Sequence, residues 1–350
     1  MLYDGLEVDM ISVGNADCML VTRYDSASNS LPCVLIDGGN KGDADKVRRF
    51  LKARGITRLN AVVCTHPHDD HSGGLLELVN DRSIGIDSAY MHVPQRHVNP
   101  ADVEKTLRRL VDSAEADNIR KSLATAKDLV AAFTGRGLVI TEPFAGVKIE
   151  FLTVVGPSVQ YYEELLMEFT DTEIIKLVEI QTSLHKLWSD LHDHAVEALD
   201  TELPENPQTT PENNSSAILA VVQNDKKYLF TSDAGVPALQ EASEKYNLQD
   251  CHWMQIPHHG SRRNINPALI KYFSPKHAWV SAEGSKKHPR RAVVNAFKDV
   301  GAVVCSTHYP TSQNMWIHSG TVPPRAGYVP LIPLYEAQTL SKLPPPLSPG

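Results

Sequence analysis

Ten residues carry the strongest signal in this chain: Thr65-His66-Pro67-His68-Asp69-Asp70-His71-Ser72-Gly73-Gly74. Three histidines and two aspartates fall within six positions, directly after the apolar run Leu59 to Cys64. Such a run is typical of a buried strand, which would carry the five polar side chains into one loop at its carboxyl end. Imidazole and carboxylate at this density are ligands for zinc, manganese or iron. Gly73 and Gly74 predict a tight turn beneath a metal, before a helix that begins at Leu75. A solvated loop that binds nothing is the alternative.

The spacing H-x-H-x-D-H after a strand resembles the signature of the metallo-β-lactamase superfamily. This resemblance implies an α/β fold, a four-layer αββα sandwich, with two divalent metal ions, Zn²⁺ or Mn²⁺. By the same resemblance His66 and His68 are ligands of the first metal, and Asp70 and His71 are ligands of the second. Asp69 stands at the variable position of the signature and receives no role.

The composition limits where the protein acts and what it attracts. Asp and Glu number 42 against 34 Lys and Arg, so the net charge of −8 gives no general attraction to nucleic acid or to anionic membranes. Any hold on a polyanion must therefore be local. The chain begins Met1-Leu2-Tyr3-Asp4 without a secretory pattern, and no apolar stretch reaches the ~18 residues of a membrane span. Five scattered cysteines are typical of a reduced protein. We expect a cytoplasmic protein with no membrane partner.

Two aspartates close other strands in the first half of the chain. Asp37 and two glycines end the apolar strand that begins near Pro32. In the family, an aspartate here supports a ligand histidine, and such a partner fixes the ring of the ligand. Asp17 ends the turn that begins at Ser12, which resembles the Val-Gly-x-Gly-Asp element of the ComEC-type branch of the superfamily. Ordinary turn aspartates are the alternative at both positions.

The second half supplies a bridging carboxylate but lacks a histidine. Many family members have a third histidine for the first metal near residues 213–222; here the run resembles the Asn-x-Ser-x-Val pattern of ComEC-type proteins, which also lack it. Either an oxygen from Asn214 or Ser215 with water completes the site, or the site takes a harder ion such as manganese. Asp233 resembles the carboxylate that bridges the two metals, with Ser232 in place of the usual glycine. A helix-capping aspartate is the alternative.

Pro-His-His-Gly-Ser at residues 257–261 resembles the second signature of the ComEC-type branch. The resemblance makes His258 the last ligand of the second metal. It places His259 and Ser261 around that site or facing the substrate. Arg262 and Arg263 follow at once and would hold a phosphate, or they form a plain surface pair.

His288 is the candidate for contact with the substrate. The branch has His-Pro at this point, and His288 precedes Pro289 within a dense run of basic residues. An imidazole in that position could act as a general acid. The solvated start of a helix is an equally weighted alternative.

The order of the elements predicts one sandwich interrupted by an insertion. Residues 1–157 and 213–320 form its two halves, residues 158–212 form a helical insertion that would act as a lid or a homo-oligomer contact, and residues 321–350 form a Pro-rich tail. His185, His192 and His194 lie on the insertion, where a solvated or interface helix is favoured over another metal site because no Cys or Glu completes a recognised pattern. Apolar spacing predicts these further elements: helices over Ala44–Gly55, Val103–Leu110 and Ile119–Phe133, and strands over Ile86–Val93, Leu138–Ile140 and Val147–Val155.

The function implied by the resemblance is hydrolysis. Two cations about 4 Å apart would activate a bridging water as hydroxide and stabilise charge on the attacking and leaving oxygens. The ComEC-type branch is associated with phosphodiester cleavage, so a phosphodiesterase, and most specifically a nuclease acting on nucleic acid or a nucleotide, is the first hypothesis. Asp70, His259 and His288 would be its catalytic residues. The alternatives are a hydrolase of a cyclic nucleotide, lactone or thioester, and a metal-binding partner without catalysis.

Overall fold

A computed structural model describes residues 3–27, 31–97, 114–170, 202–284, 288–325 and 330–334. Within these residues, fourteen strands form two mixed sheets. The strands are β1 Asp4–Met10, β2 Met19–Tyr24, β3 Cys33–Ile36, β4 Arg58–Cys64, β5 Gly85–Met91, β6 Ile140–Thr141, β7 Lys148–Ile149, β8 Leu152–Gly156, β9 Ile218–Gln223, β10 Lys226–Phe230, β11 Trp253–Gln255, β12 His277–Val280, β13 Val303–Ser306 and β14 Met315–Thr321.

Helices cover the outer faces of the sheets. They are α1 Ala44–Ala53, α2 Asp69–Asp81, α3 Ala114–Gly135, α4 Val159–Thr170, α5 Pro211–Asn214, α6 Val236–Lys245, α7 Pro267–Phe273 and α8 Arg291–Asp299, with short 3-10 turns at Pro94–Arg96 and His258–Gly260. Within the described ranges, no helix combines the length and apolar character needed to cross a membrane.

The sheets have seven strands each, in the orders β14-β1-β2-β3-β4-β5-β6 and β13-β12-β11-β10-β9-β8-β7. Strands β3, β4 and β5 pair in parallel, as do β10, β11, β12 and β13. Parallel strands end at the same edge of their sheet, so the segments that follow them gather along one rim. A hydrogen bond joins the two rims: the amide of Ala217, before β9, donates to the carbonyl of Thr65, after β4, at 3.0 Å.

Three apolar clusters separate the four layers. The middle one joins the sheets, with Val8 and Ile36 from one side and Trp253 and Trp279 from the other. The two outer clusters pack helices against each sheet. Strands buried on both faces read as continuous apolar runs, as β3 and β4 do. The predicted four-layer αββα sandwich is confirmed.

Helix α2 corrects the prediction of a turn at Gly73 and Gly74. The helix begins at Asp69, so both glycines lie inside it. A Cβ on Gly73 would come within 2.5 Å of the backbone nitrogen of Lys41, and one on Gly74 would collide with the carbonyl oxygen of Gly38. The glycines thus serve the close packing of a helix on a loop, and the candidate ligands Asp70 and His71 lie in the first turn of that helix.

Other predicted elements differ mainly in their bounds. The predicted strands near 138–155 are three short strands, β6, β7 and β8. Helix α3 extends the predicted helix over 119–133 in both directions. The predicted helix over 103–110 and residues 171–201 of the predicted insertion, with its three histidines, lie outside the described residues. The proposed domain boundaries therefore stay predictions.

The segment after β14 spans the two sheets. Arg325 forms ion pairs with Asp9, at 2.8 Å from Nη2 to Oδ2, and with Glu7, both on β1. Farther along, the amide of Leu334 donates to the carbonyl of Val304 on β13 at 2.9 Å, and the Leu334 side chain is buried. Residues 322–325 and 330–334 thus contact one edge of each sheet, and residues 335–350 lie outside the described residues.

Candidate metal centre

The first group of candidate ligands is His66, His68 and Asp233, whose ligand atoms lie within 4.8 Å of one another. His66 follows β4, and its Nε2 lies 3.0 Å from Nδ1 of His68 and 3.8 Å from Oδ2 of Asp233. On the far side of the ring, Nδ1 of His66 lies 3.3 Å from the hydroxyl of Ser216. That contact leaves Nε2 to face the centre of the group.

The second group is Asp70, His71, Asp233 and His259, again within 4.8 Å. Nε2 of His71 lies 3.3 Å from Oδ1 of Asp233 and 3.8 Å from Oδ2 of Asp70. Nε2 of His259 lies 3.2 Å from Oδ2 of Asp70. Asp233 therefore stands between the groups, with Oδ2 towards the first and Oδ1 towards the second.

The donor set fits metal ions because of how Asp233 is buried. Its side chain is 1% exposed, and neither carboxylate oxygen accepts a hydrogen bond from any described residue. Nε2 of His71 likewise has no hydrogen-bond partner among the described residues. An isolated buried carboxylate costs several kcal/mol unless a positive charge compensates it. Two divalent cations, one at each oxygen, supply that charge, and imidazole with carboxylate is a donor set that zinc and manganese accept.

The protonation preferences agree with a cation-attracting centre. Burial acts against a charged imidazole, yet Asp233, Asp70 and Asp37 raise the pKa of His71 well above its ordinary value. Burial and the neighbouring His71 and His68 lower the pKa of His66 well below its ordinary value, which keeps this ring neutral as a ligand requires. The carboxylates thus favour positive charge at the second group, and the first group offers neutral nitrogen.

Buried acceptors hold the ligand rings from behind. Asp37 accepts from Nδ1 of His71 at 2.9 Å, and it also accepts from the amide of Thr65 at 2.8 Å and the hydroxyl of Thr65 at 2.7 Å. The backbone carbonyl of Ser281 lies 3.0 Å from Nδ1 of His259. These contacts turn Nε2 of each ring towards the centre, which is what a supporting role requires.

Asp17 lies beneath both rings of the second group. Its oxygens are 3.9 Å from Nδ1 of His71 and 3.8 Å from Nδ1 of His259, and Gln255 donates to it at 2.8 Å. Burial raises the pKa of Asp17 to about 6. Burial opposes charge on His259 as well, but Asp17 and Asp70 raise the pKa of that ring to about 9. The acidic position of the first turn therefore belongs to the site, although only the family resemblance drew attention to it.

The structure divides His258 and His259 differently from the sequence-based assignment. His259, predicted to face the substrate, lies in the second group. His258, predicted to bind the second metal, has its Nε2 3.6 Å from Oδ2 of Asp233, the oxygen that faces the first group. The backbone explains the division, since both residues have left-handed φ values, 47° and 53°, which send consecutive side chains apart.

Three other predicted residues have polar atoms in local hydrogen bonds. Oδ1 of Asn214 accepts from the amide of Gly235 at 3.1 Å, and the hydroxyl of Ser215 donates to the carbonyl of Glu212 at 2.7 Å. Their expected roles at the first metal stay predictions. The hydroxyl of Ser261 accepts from the amide of Arg263 at 3.2 Å, and so it shapes the turn after the histidine pair.

His288 lies beside the centre, as its predicted role requires. It is 6% exposed, and its ring centroid is 5.6 Å from that of His258 and 6.2 Å from that of His259. Arg262 is half-buried and Arg263 is exposed, in the turn that follows the histidine pair. Their roles towards a phosphate stay predictions.

Sequence reasoning missed Asn264 and Ser216. Asn264 is fully buried, and its Oδ1 lies 2.9 Å from Nδ1 of His258. Neither residue belongs to a motif, and the only available signal was position: Asn264 follows the histidine pair closely, and Ser216 neighbours the serine that was chosen instead.

A family model matches part of the first half of the chain. The family model described as the metallo-beta-lactamase superfamily matches residues 12–142. Among curated proteins, ComE operon protein 3 of Bacillus subtilis (strain 168) is 22% identical over 306 residues. That alignment covers 82% of this chain and 30% of the relative, so the chain spans less than a third of that protein's length.

Solved structures with related folds are distant in sequence. A diphosphatase from the PhnP family is 11% identical, with a TM-score of 0.42, over 90% of this chain and 99% of the other. Zn²⁺-bound PqqB from Methylobacterium extorquens is 9% identical, with a TM-score of 0.43, over 89% and 99%. The Rm3 metallo-beta-lactamase is 13% identical, with a TM-score of 0.31, over 70% and 76%.

Proposed function

We propose that this chain, which belongs to the metallo-β-lactamase superfamily, is a hydrolase that uses two divalent metal ions to cleave phosphodiester bonds. The observation that carries the proposal is the buried Asp233 carboxylate, whose two oxygens face two separate groups of ligand atoms and accept no hydrogen bond from the described residues. A carboxylate can neutralise two cations at once, so its placement between the groups favours a dinuclear centre over a single ion.

The chain's own residues would divide the work. His66, His68 and Asp233 would hold one cation, and Asp70, His71, His259 and Asp233 the other. When bound, two such cations lower the pKa of a water molecule and stabilise developing negative charge. Asp37 keeps His71 oriented, and His288, whose ring lies beside the histidine pair, is placed to donate a proton to a leaving oxygen.

The phosphodiester class is supported by the family branch and by local charge. The ComEC-type branch, which this chain resembles, is associated with phosphodiester cleavage. Arg262 and Arg263 follow the histidine pair, and guanidinium groups are well suited to phosphate oxygens. Since the whole chain is acidic, this local positive charge would have to supply the attraction for a nucleic acid. A nuclease is therefore the specific form of the proposal.

Hydrolysis of bis-p-nitrophenyl phosphate tests the proposal directly. Metal-stripped protein is refilled separately with Zn²⁺ and with Mn²⁺, and turnover is measured beside His68→Ala and Asp233→Asn. We expect metal-restored turnover that both substitutions abolish. Single-stranded and double-stranded DNA and RNA would then be compared at several salt concentrations, because a phosphate-binding surface makes affinity fall as salt rises.

Two results would overturn the phosphodiester assignment. Turnover of a lactone, a thioester or only a cyclic nucleotide would assign the site to a small-molecule hydrolase. Tight binding of both metals without turnover of any of these substrates would indicate a metal-binding partner without catalysis.

A further inference from the structure

We infer that His258 is a ligand of the first metal, not the second, and that Asn264 is the residue that positions it. The inference rests on the proposed dinuclear site and extends it to a nitrogen ligand that the first group otherwise lacks. The first group holds three ligand atoms within 4.8 Å, from His66, His68 and Asp233, whereas the second holds four. A tetrahedral zinc site takes four ligands.

The distances divide the histidine pair between the two oxygens of Asp233. Nε2 of His258 lies 3.6 Å from Oδ2, and Nε2 of His66 lies 3.8 Å from the same oxygen. Nε2 of His259 lies instead beside Oδ2 of Asp70. Asp70 and Oδ1 of Asp233 both lie close to Nε2 of His71, so His259 belongs to the group that faces Oδ1. His258 and His259 therefore face opposite sides of the bridging carboxylate.

The backbone holds this division in place. His258, His259 and Gly260 have φ values of 47°, 53° and 82°, three consecutive residues in the left-handed region. Histidine adopts this conformation only at a cost in free energy, which neighbouring contacts must offset. The two ring planes lie 73° apart with centroids 5.7 Å from each other, so adjacent residues present their imidazoles in different directions.

Asn264 fixes which nitrogen of His258 faces the metal. Its Oδ1 lies 2.9 Å from Nδ1 of His258, closer than Nδ2 of Asn213 at 3.2 Å. The nearer carbonyl acceptor favours the proton on Nδ1 and the lone pair on Nε2. Its Nδ2 donates to the backbone carbonyl of Asp233 at 2.7 Å and to the hydroxyl of Thr209 at 3.2 Å. Asn264 is fully buried, so one amide ties the ring of His258 to the loop that carries the bridging carboxylate.

The assignment supplies the third nitrogen ligand of the first metal, which in many family members comes from a histidine that this chain lacks near residues 213–222. With His258, the first metal would have three imidazole nitrogens and one carboxylate oxygen, a donor set that favours zinc over manganese. The extra nitrogen would come from the turn after β11, instead of from the segment before β9 in the same sheet.

Cobalt binding to double variants tests the assignment without any substrate. The full chain, stripped of metal, is titrated with Co²⁺, and bound equivalents and the visible ligand-field spectrum are recorded for His258→Ala and His258→Gln. Each is combined with His66→Ala, which weakens the first site, and with His71→Ala, which weakens the second.

If His258 binds the first metal, the double variants should lose bound Co²⁺ in a specific pattern. His258→Ala combined with His66→Ala should still bind one equivalent, whereas His258→Ala combined with His71→Ala should lose both. The reverse pattern would overturn the inference. The same titration with His259→Ala should give the opposite pattern to His258→Ala. Binding of two equivalents by every His258 variant, with an unchanged spectrum, would also overturn it.

Asn264→Ala tests the positioning role. We expect first-site Co²⁺ affinity to fall roughly 10- to 100-fold, with a changed spectrum, because the ring of His258 is released. Asn266→Ala is the matched control, since Asn266 is also a buried asparagine but caps α7 through the amide of Leu269 at 2.9 Å. It should lower the unfolding temperature and leave both cobalt sites unchanged. Equal effects of the two variants on affinity would refute a positioning role.

The ligand assignment and the proposed function can be refuted independently of each other. Cobalt binding in the expected pattern without phosphodiester turnover would remove the proposed function and keep the ligand assignment. Turnover with the reverse binding pattern would keep the function and remove the assignment.

Discussion

Replacing His92 with phenylalanine should make the protein resistant to mild acid. His92 follows β5 and is 6% exposed, and its ring stacks on Tyr162 at 4.5 Å between centroids and lies 4.7 Å from Phe144. Neither ring nitrogen has a hydrogen-bond partner among the described residues. Burial, with a smaller contribution from His97, lowers the pKa of His92 to about 3.

The sign and size of the effect follow from the difference between the folded and unfolded pKa values. The unfolded chain binds a proton on His92 near pH 6.5, whereas the folded chain does so only near pH 3. The contribution of neutral His92 to the free energy of unfolding is therefore fully present above pH 6.5 and is lost progressively as the pH drops towards 3. Between pH 8 and pH 5, linkage gives a loss of about 2 kcal/mol from this one ring.

Urea unfolding at pH 8 and pH 5 measures this loss. We expect the free energy of unfolding of the natural chain to fall by about 2 kcal/mol more than that of His92→Phe between the two pH values. His92→Leu serves as the control for packing, because it also lacks an ionisable ring but fills the space differently. In both variants the part of the pH dependence that comes from His92 should be absent, whatever their free energy of unfolding at pH 8. Parallel changes in the natural chain and both variants would refute the reasoning.

Three further substitutions probe the site and its supports. Asp37→Ala should weaken metal binding at the second group by roughly 10- to 100-fold in a chelator competition, because the ring it holds is released. Gly74→Ala should lower the free energy of unfolding by about 1 to 3 kcal/mol, since the added methyl group meets backbone. Arg325→Ala should lower it by about 3 to 5 kcal/mol in urea, because the buried Asp9 loses its ion-pair partner among the described residues, while the buried Glu7 keeps only Arg54.

The glycine and arginine substitutions each have a matched comparison in the same chain. Gly135→Ala adds a methyl group where no atom lies within 4 Å, so it should leave stability unchanged or slightly higher. Arg58→Ala removes an ion pair that faces solvent and should have little effect on unfolding. An Asp37→Ala protein that keeps both metals at full affinity would show that its hydrogen bonds serve the fold alone. Equal losses for the two glycines, or for the two arginines, would contradict the packing and burial arguments.

The sequence predicted the ligand elements well because of where they lie on strands. His66 follows β4 in one sheet and Asp233 follows β10 in the other, and the parallel strands of each sheet end along one rim. The four-layer architecture was predicted from the resemblance of the His66-to-His71 signature to the metallo-β-lactamase superfamily, and the apolar pattern alone did not give it. The order of the strands thus predicts which strand end a residue follows, and so the region of the fold in which its side chain lies.

The finer assignments depended on backbone geometry that residue types do not encode. The residue types of His258 and His259 do not predict two left-handed φ values. The sequence therefore could not show which imidazole faces which carboxylate oxygen of Asp233. Gly73 and Gly74 read as a turn because glycine usually breaks helices, whereas here a close loop makes glycine necessary within α2. Asn264 acts through a contact that only the assembled loops create.

The pairing of β14 with β1 has a consequence for synthesis on the ribosome. Strand β1, at residues 4–10, leaves the ribosome some three hundred residues before its outer neighbour β14, at residues 315–321. Until β14 follows, the backbone amides and carbonyls on that side of β1 have no strand to pair with, and an open strand edge invites pairing with other chains. During this interval the nascent protein is exposed to aggregation through β1, and pairing with β14 closes that edge.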